Sequence, residues 1–150
     1  MPPILIRGTS ESSIAGTGVS FVPNLEPSIA GKHCLVLDDE FLIALDIQQI
    51  LEAAGAASVK CFGTSTECLD ALKAGEKFDL AVLDFKLSDG ARNSFSVAAL
   101  LSRQGTPFVF VTGMTQKDVR SAEFPDAPVV EKPYEPPLLL DAIMRALAPR

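Results

Sequence analysis

Acidic side chains follow two predicted strands of this sequence, and a hydroxyl and an ammonium group follow two others. Asp38 and Asp39 come directly after the apolar run HCLVL, and Asp84 comes after LAVL. Thr112 closes the apolar run FVFV, and Lys132 follows the short run APVVE. Three carboxylates in one place repel each other unless a cation lies among them. Mg²⁺ is the expected cation, because it binds one or two carboxylates while keeping several waters.

A metal ion among carboxylates suits phosphoryl transfer, because the ion neutralises charge on the transferred group. Asp84 is the predicted nucleophile, and its attack on phosphorus would give an aspartyl phosphate. We expect Lys132 to pair with one phosphoryl oxygen and Thr112 to donate a hydrogen bond to another. Any one of these residues alone is more often a helix cap or a turn residue. Together, at the carboxyl ends of four predicted strands, they favour a shared site.

Short apolar runs that alternate with amphipathic segments predict the framework of this site. Strands are predicted at residues 33–38, 58–62, 78–84, 107–112 and 127–131, and helices at residues 40–54, 64–74, 94–104, 115–123 and 136–147. Strands that are almost entirely apolar are typical of a parallel sheet covered on both faces. Right-handed crossovers then give a doubly wound α/β fold of five strands and five helices with strand order 2-1-3-4-5. Its crevice lies at the carboxyl ends of strands 1 and 3.

Composition and charge exclude several classes of protein. The 150 residues are 47% hydrophobic and 21% charged, as in an ordinary globular chain. A net charge of −6 argues against nucleic acid and anionic membranes as partners, because both require a basic surface. Three cysteines without CxxC spacing favour buried thiols in a reducing compartment. We therefore expect a soluble, cytoplasmic, acidic domain.

The start of the chain differs from the rest in composition. Residues 1–31 contain five Ser, four Gly, four Pro and two Thr, with only two short apolar runs. Such a segment cannot build a core of its own. We therefore expect residues 1–31 to be an extension or linker and residues 32–150 to be the folded domain.

Four stretches, in this order and at this spacing, resemble the receiver domain of two-component response regulators. They are CLVLDDE from residue 34, DLAVLD from residue 79, FVTG from residue 110 and EKPY from residue 131. The resemblance implies a flavodoxin-like receiver fold over residues 32–150. It also implies that a histidine kinase, in the same chain or another, donates a phosphoryl group from its phosphohistidine.

The resemblance assigns a role to each residue that matches the motifs. Asp84 matches the phosphoacceptor. Asp38 and Asp39 match the acidic pair that holds Mg²⁺ together with Asp84, and the backbone carbonyl of Lys86 would complete the metal ligands. Thr112 matches the switch hydroxyl, and Lys132 matches the phosphate-binding lysine.

A narrower resemblance concerns the fourth predicted strand. The run PFVFVTG, residues 107–113, is similar to a receiver subgroup with the pattern Pro-Phe-x-Phe-x-Thr-Gly-aromatic. This subgroup includes stand-alone regulators and the C-terminal receivers of hybrid histidine kinases. Met114 stands where the aromatic residue is usual, and Val129 stands where ordinary receivers have an aromatic switch residue. We therefore do not expect a rotating-ring switch in its usual form.

The expected function is that of a phosphoacceptor signalling domain, which assists its own phosphoryl transfer but has no separate substrate and is not an enzyme. Phosphorylation should draw in Thr112 and remodel the face formed by the fourth predicted helix, the fifth strand and the last helix. An output protein, or a second copy of the chain, would bind there.

Two alternatives from other classes remain open. A phosphatase similar to haloacid dehalogenases would also use a strand-end Asp with Mg²⁺. That family has a second Asp two residues after the nucleophile, where this chain has Lys86. The other alternative is a receiver that is never phosphorylated and serves only as an interaction module.

The extension carries a weaker resemblance of its own. The runs ILIR and GTGVSFVP, at residues 4–7 and 16–23, resemble the closing hairpin of a histidine kinase ATP-binding domain. If this holds, the chain is the C-terminal piece of a hybrid kinase. A stand-alone regulator with a flexible leader is the alternative.

Overall fold

The elements of the chain follow the predicted alternation of strands and helices. A computed structural model describes residues 28–85, 91–113 and 124–148. The elements are β1 (His33–Leu37), α1 (Phe41–Ala53), β2 (Ser58–Phe62), α2 (Ser65–Lys73), β3 (Leu80–Asp84), α3 (Ala91–Gln104), β4 (Phe108–Thr112), β5 (Val129–Glu131) and α4 (Pro136–Leu147). The helix predicted at residues 115–123 lies outside the described residues. All five predicted strands and the other four predicted helices are confirmed.

The five strands form one parallel sheet in the order β2-β1-β3-β4-β5, as predicted. The order reverses between β1 and β3, so the two following connections leave on opposite faces and open a crevice at the carboxyl ends of these strands. The register aligns Leu37 with Leu83 and Asp84 with Val111. The residues that follow β1, β3 and β4 therefore meet at one edge of the sheet.

The two faces of the sheet pack against different kinds of side chain. Val36 and Val82 point toward α1 and α4, where the core consists mainly of Ile, Leu, Val and Ala side chains. We call this the aliphatic face. Leu35 and Leu83 point toward α2 and α3, where four buried and three partly buried phenylalanines pack, out of nine in the chain. We call this the aromatic face.

The helix ends follow local signals in the sequence. The side chain of Thr64 accepts a hydrogen bond from the backbone N–H of Glu67 at 3.2 Å and thereby caps the N-terminus of α2. Pro136 lies in the first turn of α4, where its missing N–H costs no helical hydrogen bond. Among the described residues, no helix has both the length and the apolar character needed to span a membrane.

The packed part of the chain begins before the predicted boundary at residue 31. Ile29 is 1% exposed and belongs to the core of the aliphatic face. The backbone N–H of Gly31 donates to the carbonyl of Gly55 at 2.9 Å. A Cβ at Gly55 would lie 3.3 Å from the Cα of Ala30, and its φ of +103° also favours glycine. This close approach fixes residues 29–31 against the end of α1.

Candidate functional site

Two buried carboxylates face each other where β1 and β3 end. Asp38 follows β1 and is 3% exposed, and Asp84 is the last residue of β3 and is 6% exposed. The backbone N–H of Asp38 donates to the carbonyl of Phe62 at 3.0 Å, which extends the pairing of β1 with β2. Its side chain accepts a hydrogen bond from the backbone N–H of Glu40 at 2.9 Å. This bond directs the chain from β1 into α1.

Strand alternation explains why the charged residues converge. Successive side chains of a strand point to opposite faces, so residues two apart share a face. Asp38, Asp84 and Lys132 therefore all continue one face of the sheet. The residues two positions earlier are Val36, Val82 and Val130, which lie in the core of the aliphatic face. Thr112, two residues after Phe110, continues the aromatic face.

The predicted acidic cluster is present. Asp38, Asp39 and Asp84 each offer a carboxylate oxygen, and these oxygens all lie within 4.8 Å of one another. Two unit negative charges about 5 Å apart cost roughly 3 kcal/mol at an effective dielectric constant of 20, so the cluster favours a bound cation. Asp39 is exposed while its two neighbours are buried. This donor set fits Mg²⁺, which prefers carboxylate oxygens and keeps water on its open side.

The ammonium group of Lys132 reaches into the same cluster. Its Nζ lies 3.3 Å from Oδ2 of Asp38 and 3.6 Å from Oδ1 of Asp84. The backbone N–H of Lys132 donates to the carbonyl of Thr112 at 2.6 Å, which holds the residue at the end of β4 and β5. Lys132 therefore supplies part of the positive charge that the carboxylates require.

Burial and the neighbouring charges act in opposite directions on Asp38. Burial raises the pKa of its carboxyl above the ordinary value, and the negative charge of Asp39 adds to this rise. The backbone N–H of Glu40 and the ammonium of Lys132 act against the rise. Burial is the largest contribution. A further cation at this position would stabilise the charged carboxylate.

Thr112 lies at the predicted place, as the last residue of β4, and is fully buried. Its neighbour in the strand, Val111, is paired with Asp84 across the sheet. Thr112 therefore lies one residue after Val111, the residue that pairs with Asp84 on the neighbouring strand. Lys86, the predicted source of a carbonyl ligand, lies outside the described residues, as do Ser88 and Met114.

One residue near the site was not assigned a role from the sequence. Oε1 of Glu40 lies 3.8 Å from Nζ of Lys132, although the Glu40 side chain is 64% exposed. Its position in the run Asp38-Asp39-Glu40 was the available signal. An exposed ion pair at this distance is weak, so Glu40 contributes mainly to the negative potential at the opening of the site.

Together, the fold and the site define a class of protein: a doubly wound α/β domain with an acidic crevice, which is similar to the receivers of response regulators. Two solved receiver structures have this fold. A response regulator receiver protein from Sinorhizobium medicae is 25% identical, with a TM-score of 0.66, and the match covers 80% of this chain and 97% of that one. The non-phosphorylated HemR receiver domain from Leptospira biflexa is 26% identical, with a TM-score of 0.63, and the match covers 79% and 95%.

A curated protein is also similar in sequence. The phyllosphere-induced regulator PhyR of Methylorubrum extorquens is 26% identical over 113 residues, which are 75% of this chain and 42% of PhyR. The chain thus spans less than half of that relative. No protein-family model matches the chain. The expected resemblance to receiver domains is confirmed, while the narrower subgroup and the hybrid kinase remain predictions.

Proposed function

We propose that this chain is a phosphorylatable receiver domain that accepts a phosphoryl group on Asp84 with the help of Mg²⁺. The observation that carries the proposal is the convergence of three acids and one lysine at one edge of the sheet. The acids lie within 4.8 Å of one another, and Lys132 Nζ is 3.6 Å from Asp84. Such a site suits charge neutralisation during phosphoryl transfer.

The chemistry follows from the position of each side chain. An Oδ atom of Asp84 attacks phosphorus while the bond from phosphorus to the donor breaks, which yields an aspartyl phosphate and the free donor group. Lys132 turns from the carboxylates to a phosphoryl oxygen. Mg²⁺, when bound by Asp38 and Asp39, neutralises charge on the transferred group. These residues act once per phosphoryl group and require no other substrate.

A histidine kinase is the proposed phosphoryl donor, because the similarity to receiver domains implies that a phosphohistidine is the source of the phosphoryl group. The surface beside the site suits a protein donor. Phe41 and Leu42 begin α1 directly after the acidic run and are 75% and 76% exposed. Large apolar side chains exposed side by side mark protein contact surfaces. We place the kinase on this part of α1, in the cytoplasm.

Signal output is proposed to depend on Thr112. Formation of the aspartyl phosphate replaces a carboxylate of charge −1 by a group of charge about −2 with three acceptor oxygens on phosphorus, which favours any state in which nearby donors reach them. The buried hydroxyl of Thr112 lies at the end of β4, next to β5. Movement of this residue would alter β5 and α4, where Leu138 is 61% exposed and open to an output protein or a second copy of the chain.

The test is intact-mass measurement after incubation with Mg²⁺ and acetyl phosphate. We expect one phosphoryl adduct, absent in Asp84→Asn and retained in the matched control Asp70→Asn, which changes an exposed aspartate of α2. Loss of the adduct in both variants, or its survival in Asp84→Asn, would contradict the assignment.

The same samples separate the alternatives. Absence of an adduct in the unchanged chain would favour a receiver that serves only as an interaction module. Continuous hydrolysis of a generic phosphate ester would favour the phosphatase. Asp39→Ala should weaken Mg²⁺ binding, measured by calorimetry, because it removes one metal carboxylate.

A further inference from the structure

Five phenylalanines form a continuous cluster on the aromatic face, the face opposite to the one that the side chain of Asp84 continues, and the cluster includes Phe85, the next residue in the chain. The ring of Phe85 contacts Phe95 and Phe110, with centroids 5.2 Å and 5.7 Å apart. Phe95 and Phe110 in turn contact Phe124, at 5.7 Å and 6.1 Å. Phe108 closes the cluster with contacts to Phe110 at 5.5 Å and to Phe124 at 5.7 Å. All six of these pairs lie within the range of roughly 4.5–7 Å in which aromatic rings attract each other.

The cluster joins two distant parts of the molecule. Phe85 follows Asp84 directly, is 7% exposed and donates its backbone N–H to the carbonyl of Val111 at 2.9 Å. Phe124 opens the segment that leads into β5, at the opposite end of the sheet. Residues 124–128, together with Phe108, line a cavity of about 570 Å³. Only one intermediate ring, either Phe95 or Phe110, separates the neighbour of the phosphoacceptor from this cavity.

The rings can act as a two-state element. Protein interiors are closely packed, so a ring that moves forces its neighbours into another discrete arrangement. Phe85 and Phe110 are buried, while Phe95 and Phe124 are only partly buried. The outer part of the cluster therefore has room to rearrange. β5 contributes no ring of its own, since its residues are Val129, Val130 and Glu131.

We propose that the Phe85–Phe95/Phe110–Phe124 cluster transmits phosphorylation of Asp84 to residues 124–128 and the cavity they line. This inference rests on the proposed phosphorylation of Asp84. The aspartyl phosphate pulls on the backbone at the end of β3, Phe85 shifts against Phe95 and Phe110, and Phe124 repacks. The output of the domain then includes the segment before β5, at the end of the sheet opposite to the chemistry.

The chain contains no tryptophan, so Phe124→Trp introduces a single fluorescent reporter. In the full 150-residue chain we expect its emission maximum to shift when acetyl phosphate and Mg²⁺ produce the adduct on Asp84. Phe78→Trp is the matched control. Phe78 is partly buried on the same face and contacts Phe62 at 6.4 Å, outside the five-ring cluster. No shift is expected there. Adding Asp84→Asn should abolish the shift of the Phe124→Trp variant.

Phe95→Leu tests the route itself. Combined with Phe124→Trp, it should reduce the shift by roughly half, because the second route through Phe110 remains. An adduct without a shift, an equal shift in the Phe78→Trp control, or a shift unaffected by Phe95→Leu would overturn the inference while leaving the proposed function standing. Absence of the adduct would overturn both.

A second measurement keeps the test decisive if Phe124→Trp does not fold. Fluorine NMR of the unchanged sequence, labelled with 4-fluorophenylalanine, would follow the nine rings, and loss of one resonance in Phe124→Leu would identify Phe124. Its resonance should move on phosphorylation and that of Phe78 should not.

Discussion

The two faces of the sheet differ in the side chains of their cores and in the functional groups at the strand ends. On the aliphatic face, aliphatic side chains pack beneath Asp38, Asp84 and Lys132, whose charged groups continue that face beyond the strand ends. On the aromatic face, rings pack beneath Thr112 and include Phe85. Phosphoryl transfer requires reacting side chains in a fixed arrangement. A conformational response to phosphorylation requires side chains that can adopt a second arrangement. The proposed phosphoryl transfer therefore lies on the face with the aliphatic core, and the proposed response lies on the face with the rings.

Both cores have a fully buried centre and a partly buried edge, and on the aromatic face this edge includes rings. On the aliphatic face Ile47, Leu51 and Ile143 are at most 1% exposed. On the aromatic face Phe95 and Phe124 are only partly buried. A fully enclosed side chain has fewer alternative positions than one at the edge of a core. Substitutions on the two faces should therefore affect stability and signalling in different proportions.

The largest expected effect on stability comes from the aliphatic core. Ile47→Ala should lower the free energy of unfolding by about 2–5 kcal/mol, because it leaves a cavity in a closely packed region. Phe95→Leu should cost only about 1–2 kcal/mol, since it keeps most of the apolar volume and loses ring contacts. Urea denaturation monitored by circular dichroism measures both values, with the exposed Leu138→Ala as the control near zero. Equal losses of unfolding free energy for Ile47→Ala and Phe95→Leu would contradict the proposed difference between the two faces.

Ile29 provides a further test of the comparison, because it belongs to the aliphatic core although the composition of residues 1–31 predicts a linker. The sequence predicts that residues 1–31 are an extension or linker, and removal of such a segment would leave stability nearly unchanged. With Ile29 buried at 1% exposure, we now expect this truncation to cost about 2–4 kcal/mol.

Removal of residues 1–27 keeps Ile29 and serves as the matched truncation. It should leave the melting temperature nearly unchanged. Ile29→Ala in the full chain separates the side chain from the backbone contact between Gly31 and Gly55. If the two truncated chains have the same melting temperature, Ile29 does not stabilise the domain.

Individual residues show which parts of the fold and of the candidate site could be predicted from the sequence. Asp38, Asp84, Thr112 and Lys132 were predictable, because apolar runs locate the strands and parallel strands bring their carboxyl ends to one edge. Ile29 was not, because one apolar residue between Pro, Ser and Gly carries no periodic signal.

The contacts among the rings were also beyond sequence reasoning. Phe95 and Phe124 lie 29 positions apart in the chain, and only the packing of α3 against the segment before β5 brings their centroids to 5.7 Å. The apolar pattern identifies both as core candidates but does not say which rings touch. The separation of the two faces into an aliphatic and an aromatic core was likewise visible only once the topology fixed the direction of each side chain.

The aliphatic face also partly buries Tyr134, the only tyrosine of the chain, which gives it a spectroscopic signal. Burial raises the pKa of Tyr134 from its ordinary value of 10.0 to about 12, and the charges of Asp46 and Asp38 add to the rise. Absorbance at the phenolate band should therefore show ionisation near pH 12 in the folded chain and near pH 10 in urea. Because the folded pKa is the higher one, the associated stability is present below pH 10 and is lost as the pH rises toward 12. A folded midpoint near 10 would show that the phenol is solvated.

The smallest expected effect is at the outer edge of the aromatic face. Lys60 Nζ lies 2.8 Å from Oε1 of Glu76 and 5.3 Å from the ring centroid of Phe62, and both charged side chains are about half exposed, at 51% and 41%. Solvent screens such a pair, so Glu76→Gln should cost only about 0.2–1 kcal/mol, and the cost should vanish in high salt. Lys60→Met removes both contacts but keeps an apolar stem over the ring, so the part of its cost that persists in high salt reports the contact with Phe62. Urea denaturation at low and high ionic strength distinguishes the two contributions. A cost of Glu76→Gln that does not respond to salt would mean that the pair is held more firmly than its exposure indicates, and that the edge of the aromatic face is as rigid as the aliphatic core.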